Sequence, residues 1–476
     1  MRKKIWKRTG MIVIVVLLSG TFGACFRKEK EEEVIVEEPA EEIRMEIPER
    51  EYDLYVAVPI EYMSMRQNPG FGDDVVTRIY PETMLRAVGE TKEAGGKSFC
   101  HVATLDGAYE GYCAADYCIK VSYEYDAEEL TVVDTRDARY TYEAMEADLQ
   151  EIAGKYGEHV TLDVLGQSAE GRNLYRAVLG NPDAENRIFI QAGIHGREYM
   201  SCQQVMKLLE YYAANYDRGY YEDTLYSELF DHTVLHIIPM SNPDGVSISQ
   251  MGEDAVSSPQ RLEMMRAAYE RDKETLIHAE DSNGDLYWYD TYANPSYDRY
   301  ADGYDEIISY EEYLSLWKAN ANGVDINRNF GAGWSEIQQK ENPGCEFFKG
   351  YSADSEPETI VLENQIKNNK YNCILNYHSR GQLIYYDVAG NSAAMSDASR
   401  KLAQTVSDLN RYQMVNCQAS ASVVLGGLGD YAMLAYNTPS ITIEMGKRPC
   451  PLGSEEFLSI WHRGREVWAK VMKEIG

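Results

Sequence analysis

Two histidines and two carboxylates carry the chemistry this sequence can do. His195 and Glu198 stand three residues apart in His195-Gly196-Arg197-Glu198, directly after the apolar run Arg187 to Ile194. His378 closes a second apolar run, Cys373 to Tyr377, and Glu444 a third, Ser440 to Ile443. Runs of that length predict buried strands. Polar groups at the ends of such strands are what an open α/β sheet uses to build a site along one edge. Two imidazoles and one carboxylate make a zinc set that leaves a coordination position open. The remaining carboxylate is then free to take a proton from water.

Each piece alone reads more plainly. With eight histidines in an acidic chain, one His-x-x-Glu pair is expected by chance. Glu444 alone would be a strand-end carboxylate paired with Lys447 or Arg448. His378 alone would be a core histidine bonded to a backbone carbonyl. The combination gains weight from what lies between. Asn242-Pro243-Asp244-Gly245 follows the apolar run Val234 to Pro239. Then come Leu316-Trp317-Lys318, Gly323-Val324-Asp325-Ile326-Asn327-Arg328-Asn329-Phe330 and Ser355-Glu356-Pro357-Glu358. In this order, from about residue 140 to 476, the chain resembles the zinc carboxypeptidases of the carboxypeptidase A type.

That resemblance implies an α/β fold: a mixed eight-stranded sheet flanked by helices, with zinc at its C-terminal edge. It implies one Zn2+ per chain, held by His195, Glu198 and His378. Glu444 would be the general base and would hand its proton to the leaving amine. Asn327 and Arg328 would grip a substrate carboxylate, a task that suits a planar guanidinium. Arg197 would line the substrate side. Lys318 stands where the digestive enzymes carry an arginine that steadies the oxyanion. Lysine is a point charge without the fork, and the alternative is an ordinary solvated lysine.

Two positions depart from the digestive pattern. Four residues before Gly426-Gly427, where those enzymes carry a mobile tyrosine, stands Ser422. The position that sets side-chain preference corresponds to Gly429, which is neither apolar and bulky nor acidic. Trp317-Lys318-Ala319-Asn320, His378-Ser379-Arg380-Gly381 and Glu444-Met445-Gly446 look instead like the bacterial branch. That branch includes γ-D-glutamyl-diaminopimelate peptidases of cell-wall stem peptides. Diaminopimelate keeps a free carboxylate, so a clamp of asparagine and arginine stays useful.

The N-terminus predicts export. Arg2, Lys3, Lys4, Lys7 and Arg8 precede an apolar stretch, Met11 to Leu18, too short to span a bilayer comfortably. Gly23-Ala24 then precedes Cys25, which resembles a bacterial lipoprotein signal: cleavage after residue 24, a lipid on Cys25, and an extracytoplasmic, membrane-anchored enzyme. An uncleaved anchor is the alternative. The formal net charge is −31, and the leader's five basic residues leave the rest more acidic still. Such a chain excludes nucleic acid as a partner, because phosphates need cations. Anionic headgroups would repel it, so membrane attachment must come from the anchor. Residues 25–51, with Glu31-Glu32-Glu33 and Glu37-Glu38-Pro39, read as a charged linker.

Residues 52–122 predict short strands with Gly and Pro turns, hence a small all-β barrel. Met63-Ser64-Met65-Arg66-Gln67-Asn68-Pro69 and Gly111-Tyr112 resemble a bacterial SH3-like domain, a type that often binds cell-wall peptides. A structural spacer is the alternative. A second linker, 123–139, leads to the peptidase domain, 140–476. Eight cysteines follow Cys25, three of them (Cys100, Cys113, Cys118) in the small domain. Disulfides are open to an exported chain, but their pairing is not readable from sequence.

An insertion at about 246–316 separates motifs that the digestive enzymes place close together. It predicts a helix from Arg261 to Leu276 and a Tyr/Asp-rich part from Asp285 to Tyr310. Asp281-Ser282-Asn283-Gly284-Asp285 has an incomplete calcium-loop pattern and reads better as a turn. The insertion is expected to roof the cleft and restrict substrates. The expected function is zinc-dependent hydrolysis of peptidoglycan stem peptides at the γ-D-Glu–diaminopimelate bond. A general carboxypeptidase on exported peptides, or an inactive wall-binding lipoprotein, are the alternatives.

Overall fold

A computed structural model describes residues 45–281, 284–292, 306–337, 340–419 and 426–476. The leader, Cys25, most of the charged linker and Ser422 lie outside the described residues. The first strands are short and form a sheet of their own. They are β1 (Leu54–Ala57), β2 (Met63–Arg66), β3 (Val75–Ile79), β4 (Met84–Ala87), β5 (Lys92–Ala94), β6 (Lys97–Thr104), β7 (Glu110–Ala114) and β8 (Cys118–Val121). Pairing runs β3-β2-β7-β6-β4-β1-β8, with β5 added to β6. Alternation decides what each strand buries. Met63 and Met65 of β2 point inward while Ser64 and Arg66 are only partly covered. Met65, Leu85, Val102 and Cys113 share one small core.

The second sheet positions the chemistry. Its strands are β9 (Val160–Gln167), β10 (Asn173–Gly180) and β11 (Asn186–Ala192), then, past a short ribbon of β12 (Tyr220–Tyr221) and β13 (Thr224–Leu225), β14 (Thr233–Ile238). A hairpin of β15 (Leu276–Glu280) and β16 (Leu286–Asp290) stands apart from it. The sheet resumes with β17 (Cys373–Ser379), β18 (Leu383–Tyr386), β19 (Gln413–Asn416) and β20 (Ser440–Met445). Its order is β19-β18-β20-β17-β11-β14-β10-β9. The central strands β14, β11, β17 and β20 run parallel, whereas β10 and β18 join them antiparallel. The sheet is therefore mixed and eight-stranded, as expected.

Helices cover both faces. On one side α1 (Tyr142–Lys155), α2 (Met200–Ala214), α3 (Tyr226–His232), α8 (Ala393–Asn410), α10 (Phe457–Gly464) and α11 (Val467–Ile475) share a core with Ile188, Ile190 and Leu375. On the other, α7 (Pro357–Asn368) and α9 (Leu428–Tyr436) meet Phe189 and Ile374. Neighbouring residues of one strand thus enter opposite cores. This is why β11 and β17 read as continuous apolar runs rather than alternating ones. Each such buried side chain contributes on the order of 1.5–3 kcal/mol.

Residues 246–316 share a separate core with the segment that follows them. Between α4 (Pro243–Met251), α5 (Pro259–Asp272) and α6 (Tyr310–Ser315), residues Ile248, Met265, Leu276, Tyr313 and Trp317 pack together. The helix expected to run to Leu276 ends at Asp272 instead. The Thr275 hydroxyl donates to the Asp272 carbonyl at 2.9 Å and turns the chain, and Leu276 opens β15. Asp281 to Asp285 is the hairpin turn: Gly284 N donates to Asp281 O at 3.0 Å, with Gly284 at φ +85°. Ser282 and Asn283 lie outside the described residues. The eight described cysteines are free thiols.

Candidate active site

A tight turn after β11 brings the first two polar groups together. Gly196 to Glu198 form one 3-10 turn, and Glu198 N donates to His195 O at 3.1 Å. Only glycine fits at 196, because a Cβ there would lie 2.2 Å from Gly245 O and 2.7 Å from Trp317 O. The Asn242 side chain ties the neighbouring loops. Its Nδ2 donates to Ile194 O at 3.1 Å and Ala319 O at 3.1 Å, while Oδ1 accepts from Gly245 N at 2.8 Å. Asn242-Pro243-Asp244-Gly245 is therefore a brace and the start of α4. His378 and Glu444 sit on adjacent parallel strands, directly paired in register.

His195, Glu198 and His378 are buried and converge. The two carboxylate oxygens of Glu198 face the two imidazoles: Oε1 is 2.9 Å from His195 Nδ1 and Oε2 is 3.0 Å from His378 Nδ1. One ligand atom from each residue lies within 4.8 Å of the others. Borderline nitrogen and oxygen donors at this spacing fit zinc. The Asp325 carboxylate stands behind His195, its Oδ1 3.3 Å from Nε2. That contact is within ion-pair reach but not aligned as a hydrogen bond. A carboxylate there fixes which imidazole nitrogen keeps its proton and turns Nδ1 toward the metal position.

Glu444 lies beside this cluster in a cavity of about 560 Å³. Burial pushes its carboxyl up to about 7, against the pull of His378, Lys318 and Arg197. A carboxylate that titrates near neutrality is matched to moving protons at that pH. All eight expected site residues line this one cavity: His195, Arg197, Glu198, Lys318, Asn327, Arg328, His378 and Glu444. Arg197 Nη2 is held by Glu346 at 3.3 Å. Lys318 Nζ lies 5.7 Å from the centre of the Phe347 ring. The segment carrying it is fixed by Trp317 Nε1, which donates to Asn320 O at 3.1 Å, and by Asn320 Nδ2, which donates to Glu356 at 2.7 Å.

Asn327 and Arg328 stand on a short 3-10 turn that lines the same cavity. Asn327 Oδ1 accepts from Leu428 N at 3.0 Å, at the start of α9. Arg328 Nη1 donates to Asn327 O at 2.8 Å, while its buried Nε has no partner among the described residues. An unfilled guanidinium donor suits a carboxylate ligand. Gly429 also lines the cavity; a Cβ there would meet Ser440 Oγ at 3.2 Å.

Sequence reasoning missed two features. Asp325 lay inside a quoted motif but was given no role, although an acidic residue two positions before Asn327 was its signal. The other is the hairpin. Leu286 to Asp290 form part of the cavity wall, and Arg380 joins them to the sheet. Arg380 Nη1 donates to Asp281 Oδ2 at 2.9 Å, and its guanidinium lies 4.8 Å from the centre of the Tyr287 ring. No local periodicity announces such a long-range contact.

The family model for zinc carboxypeptidases (peptidase M14) matches residues 145–466, and the chain belongs to that family. Gamma-D-glutamyl-L-diamino acid endopeptidase 1 of Lysinibacillus sphaericus is 23% identical over 333 residues, covering 69% of this chain and 71% of its own. The uncharacterized protein YqgT of Bacillus subtilis (strain 168) is 24% identical over 326 residues, covering 68% and 74%. Among solved structures, bovine thrombin-activatable fibrinolysis inhibitor, in complex with tick carboxypeptidase inhibitor, aligns with a TM-score of 0.49 at 16% identity. That alignment covers 70% of this chain and 96% of that one.

Proposed function

We propose that this zinc peptidase hydrolyses cell-wall stem peptides at the bond between γ-D-glutamate and a diamino acid. The observation that carries the reading is the convergence of His195, Glu198 and His378 beside Glu444 in one cavity. The Lysinibacillus relative, named for that bond, supplies the substrate class. His195 and His378 offer their Nδ1 atoms and Glu198 its carboxylate to the zinc, with Asp325 orienting His195. Zinc bound there supplies Lewis acidity.

The chain's own groups do the rest. Glu444 takes the proton of the attacking water on a carboxylate oxygen and returns it to the leaving nitrogen. Lys318 faces the oxygen that gains negative charge as the carbonyl is attacked. Asn327 and Arg328 hold the carboxylate of the diamino acid. Arg197 and Arg380 line the cleft around the substrate. The hairpin from 276 to 290 narrows the cleft and favours substrates that match it. Export on a lipidated Cys25, with the linker as tether, would place the enzyme at the wall.

The test incubates the soluble chain from Phe26 onward with two pools, defined tri- and tetrapeptide wall stems and ordinary linear L-peptides, and reads products by mass spectrometry. Release of diaminopimelate-containing fragments supports the reading. Trimming of L-peptides alone would replace it with a general carboxypeptidase. Silence in both pools with zinc bound would favour a wall-binding protein without activity.

A further inference from the structure

Next to the catalytic cleft, a second cavity of about 330 Å³ opens where the N-terminal sheet meets the peptidase domain. Tyr62, Arg66 and Phe71 line it from the small sheet, and Gln382 and Lys447 from the other side. The same two chain segments contribute lining to both cavities. Ser379, Arg380, Pro449 and Cys450 line the catalytic cleft, while Gln382 and Lys447 come from the same two segments. Those segments are tied together: Gly381 N donates to Gly446 O at 3.0 Å, and Arg380 Nη1 donates to Lys447 O at 3.3 Å. Arg380, which lines the first cavity, is thus bonded directly to Lys447, which lines the second.

The joint between the two sides is firm. Residues 47–476 form one unit. The buried Arg463 guanidinium donates to Asp116 O of the small sheet side and to Asn410 O of the large one. Ser122 N donates to Glu466 Oε1 at 2.8 Å. These bonds tie the two sides of the second cavity to one another directly, and a substrate subsite needs walls positioned in this way.

The lining chemistry is aromatic and polar together. Phe71 is 66% exposed and Tyr62 41% exposed. The Arg78 guanidinium lies 4.3 Å from the Tyr62 ring centre and Arg66 5.7 Å from that of Phe71, so both rings are held in place. Exposed rings grouped beside polar donors mark a binding surface. Lys447 and Gln382 bring an ammonium and an amide to the lining, and Glu61 and Glu456 bring carboxylates, so the cavity offers donors and acceptors to neutral hydroxyl and acetamido groups. The volume is at the small end of ligand pockets, which span roughly 300–1,000 Å³, and suits one sugar ring.

We propose that this cavity is the subsite for the sugar-bearing end of the stem peptide. The N-terminal sheet is then a wall of the substrate site, which goes beyond binding the cell wall at a distance. The proposal rests on the stem-peptide reading. Asn327 and Arg328 stand against the start of α9 and line no part of the second cavity. In the proposed binding mode they hold the free carboxylate in the catalytic cleft, and the opposite end of the peptide, acylated by the lactyl group of an N-acetylated amino sugar, occupies the second cavity.

The experiment compares kcat/KM for N-acetylmuramyl-tripeptide and for the free tripeptide. It uses the zinc-loaded chain, its Lys447→Ala variant and its Tyr62→Ala/Phe71→Ala variant. Since Lys447 lies outside the small sheet, a folding defect in the aromatic variant leaves the test intact. The wild type is expected to prefer the glycan-bearing peptide, and each variant to reduce the ratio on the order of tenfold, the factor set by about 1.4 kcal/mol. A ratio near one in the wild type, or an unchanged ratio in both variants, overturns the subsite and leaves the stem-peptide reading standing. Should the wild type cleave neither peptide, the stem-peptide reading fails. Calorimetric binding of N-acetylmuramyl-tripeptide to Glu444→Gln with and without Lys447→Ala then decides the subsite: weaker binding supports it, and unchanged or absent binding overturns it.

Discussion

On the floor of the cleft, His195, Glu198, His378 and Glu444 stand on or beside central strands of the large sheet, with helices behind both faces. Across from them, Leu286 to Asp290 sit on a two-stranded hairpin, with Leu286 65% and Tyr289 49% exposed. The floor is fixed by its own core. The hairpin is held at its base, where Leu276 and Trp288 join the core around Met265 and Tyr313, and by polar ties: Arg380 to Asp281 at 2.9 Å and the buried Lys340 ammonium to Asp290 at 2.6 Å. The difference separates two tasks. Bond cleavage needs atoms held within fractions of an ångström. Substrate choice needs a wall that can differ among relatives while the floor stays the same.

If that division holds, damage to the floor should abolish chemistry and damage to the hairpin should only redirect it. The largest effect is expected from His378→Ala. It should remove stoichiometric zinc, measured by metal analysis of gently purified protein, and activity with it. Full zinc retention would contradict the ligand set. Next comes Glu444→Gln, expected to keep its zinc while kcat falls by roughly 10²–10⁴-fold, the usual span for a lost general base. A loss confined to KM would remove Glu444 from that role.

The hairpin should respond more mildly. Arg380→Ala is expected to lower kcat/KM on stem peptides by about tenfold, with zinc unchanged and a smaller loss on linear L-peptides. An equal loss on both pools would mean that the hairpin does not select. Activity should change least at Glu358, where the effect is on stability: it accepts from Asn320 Nδ2 at 3.0 Å and so braces the Lys318 segment. Burial, aided by Asp244, pushes its carboxyl up to about 7. The folded state then holds this proton more tightly than the unfolded chain. Its contribution to stability is complete below the unfolded value near 4.5 and is lost as pH rises toward 7. Glu358→Gln should therefore gain stability relative to the wild type between pH 5 and pH 8, by up to ~3 kcal/mol. Thermal melts at both pH values check this, and a constant offset would contradict it.

The same division explains what the sequence disclosed. β11, β14, β17 and β20 were legible because strands buried on both faces read as unbroken apolar runs. The convergence of His195, Glu198, His378 and Glu444 on one cavity was legible because they end, or closely follow, those runs. Asp325 was not, since a carboxylate behind a histidine is defined by distance in the fold, not by spacing. The helix expected from Arg261 to Leu276 begins two residues earlier, at Pro259, and ends four residues sooner, at Asp272, because the Thr275 hydroxyl that turns the chain leaves no mark on periodicity. The hairpin read only as rich in tyrosine and aspartate. Its position over the cleft depends on Arg380, nearly a hundred residues away. Loops and insertions are placed by such long-range ties, and these are what local patterns omit.

The most direct test of the account uses the stem tripeptide L-Ala-γ-D-Glu-diaminopimelate in ¹⁸O-labelled water, with the zinc-loaded chain and its Glu444→Gln variant. The account predicts free diaminopimelate and an L-Ala-D-Glu product carrying one ¹⁸O in its γ-carboxyl, formed by the wild type and almost absent in the variant. An intact tripeptide beside trimmed linear L-peptides would contradict the substrate, and equal labelling by both proteins would contradict Glu444 as the base.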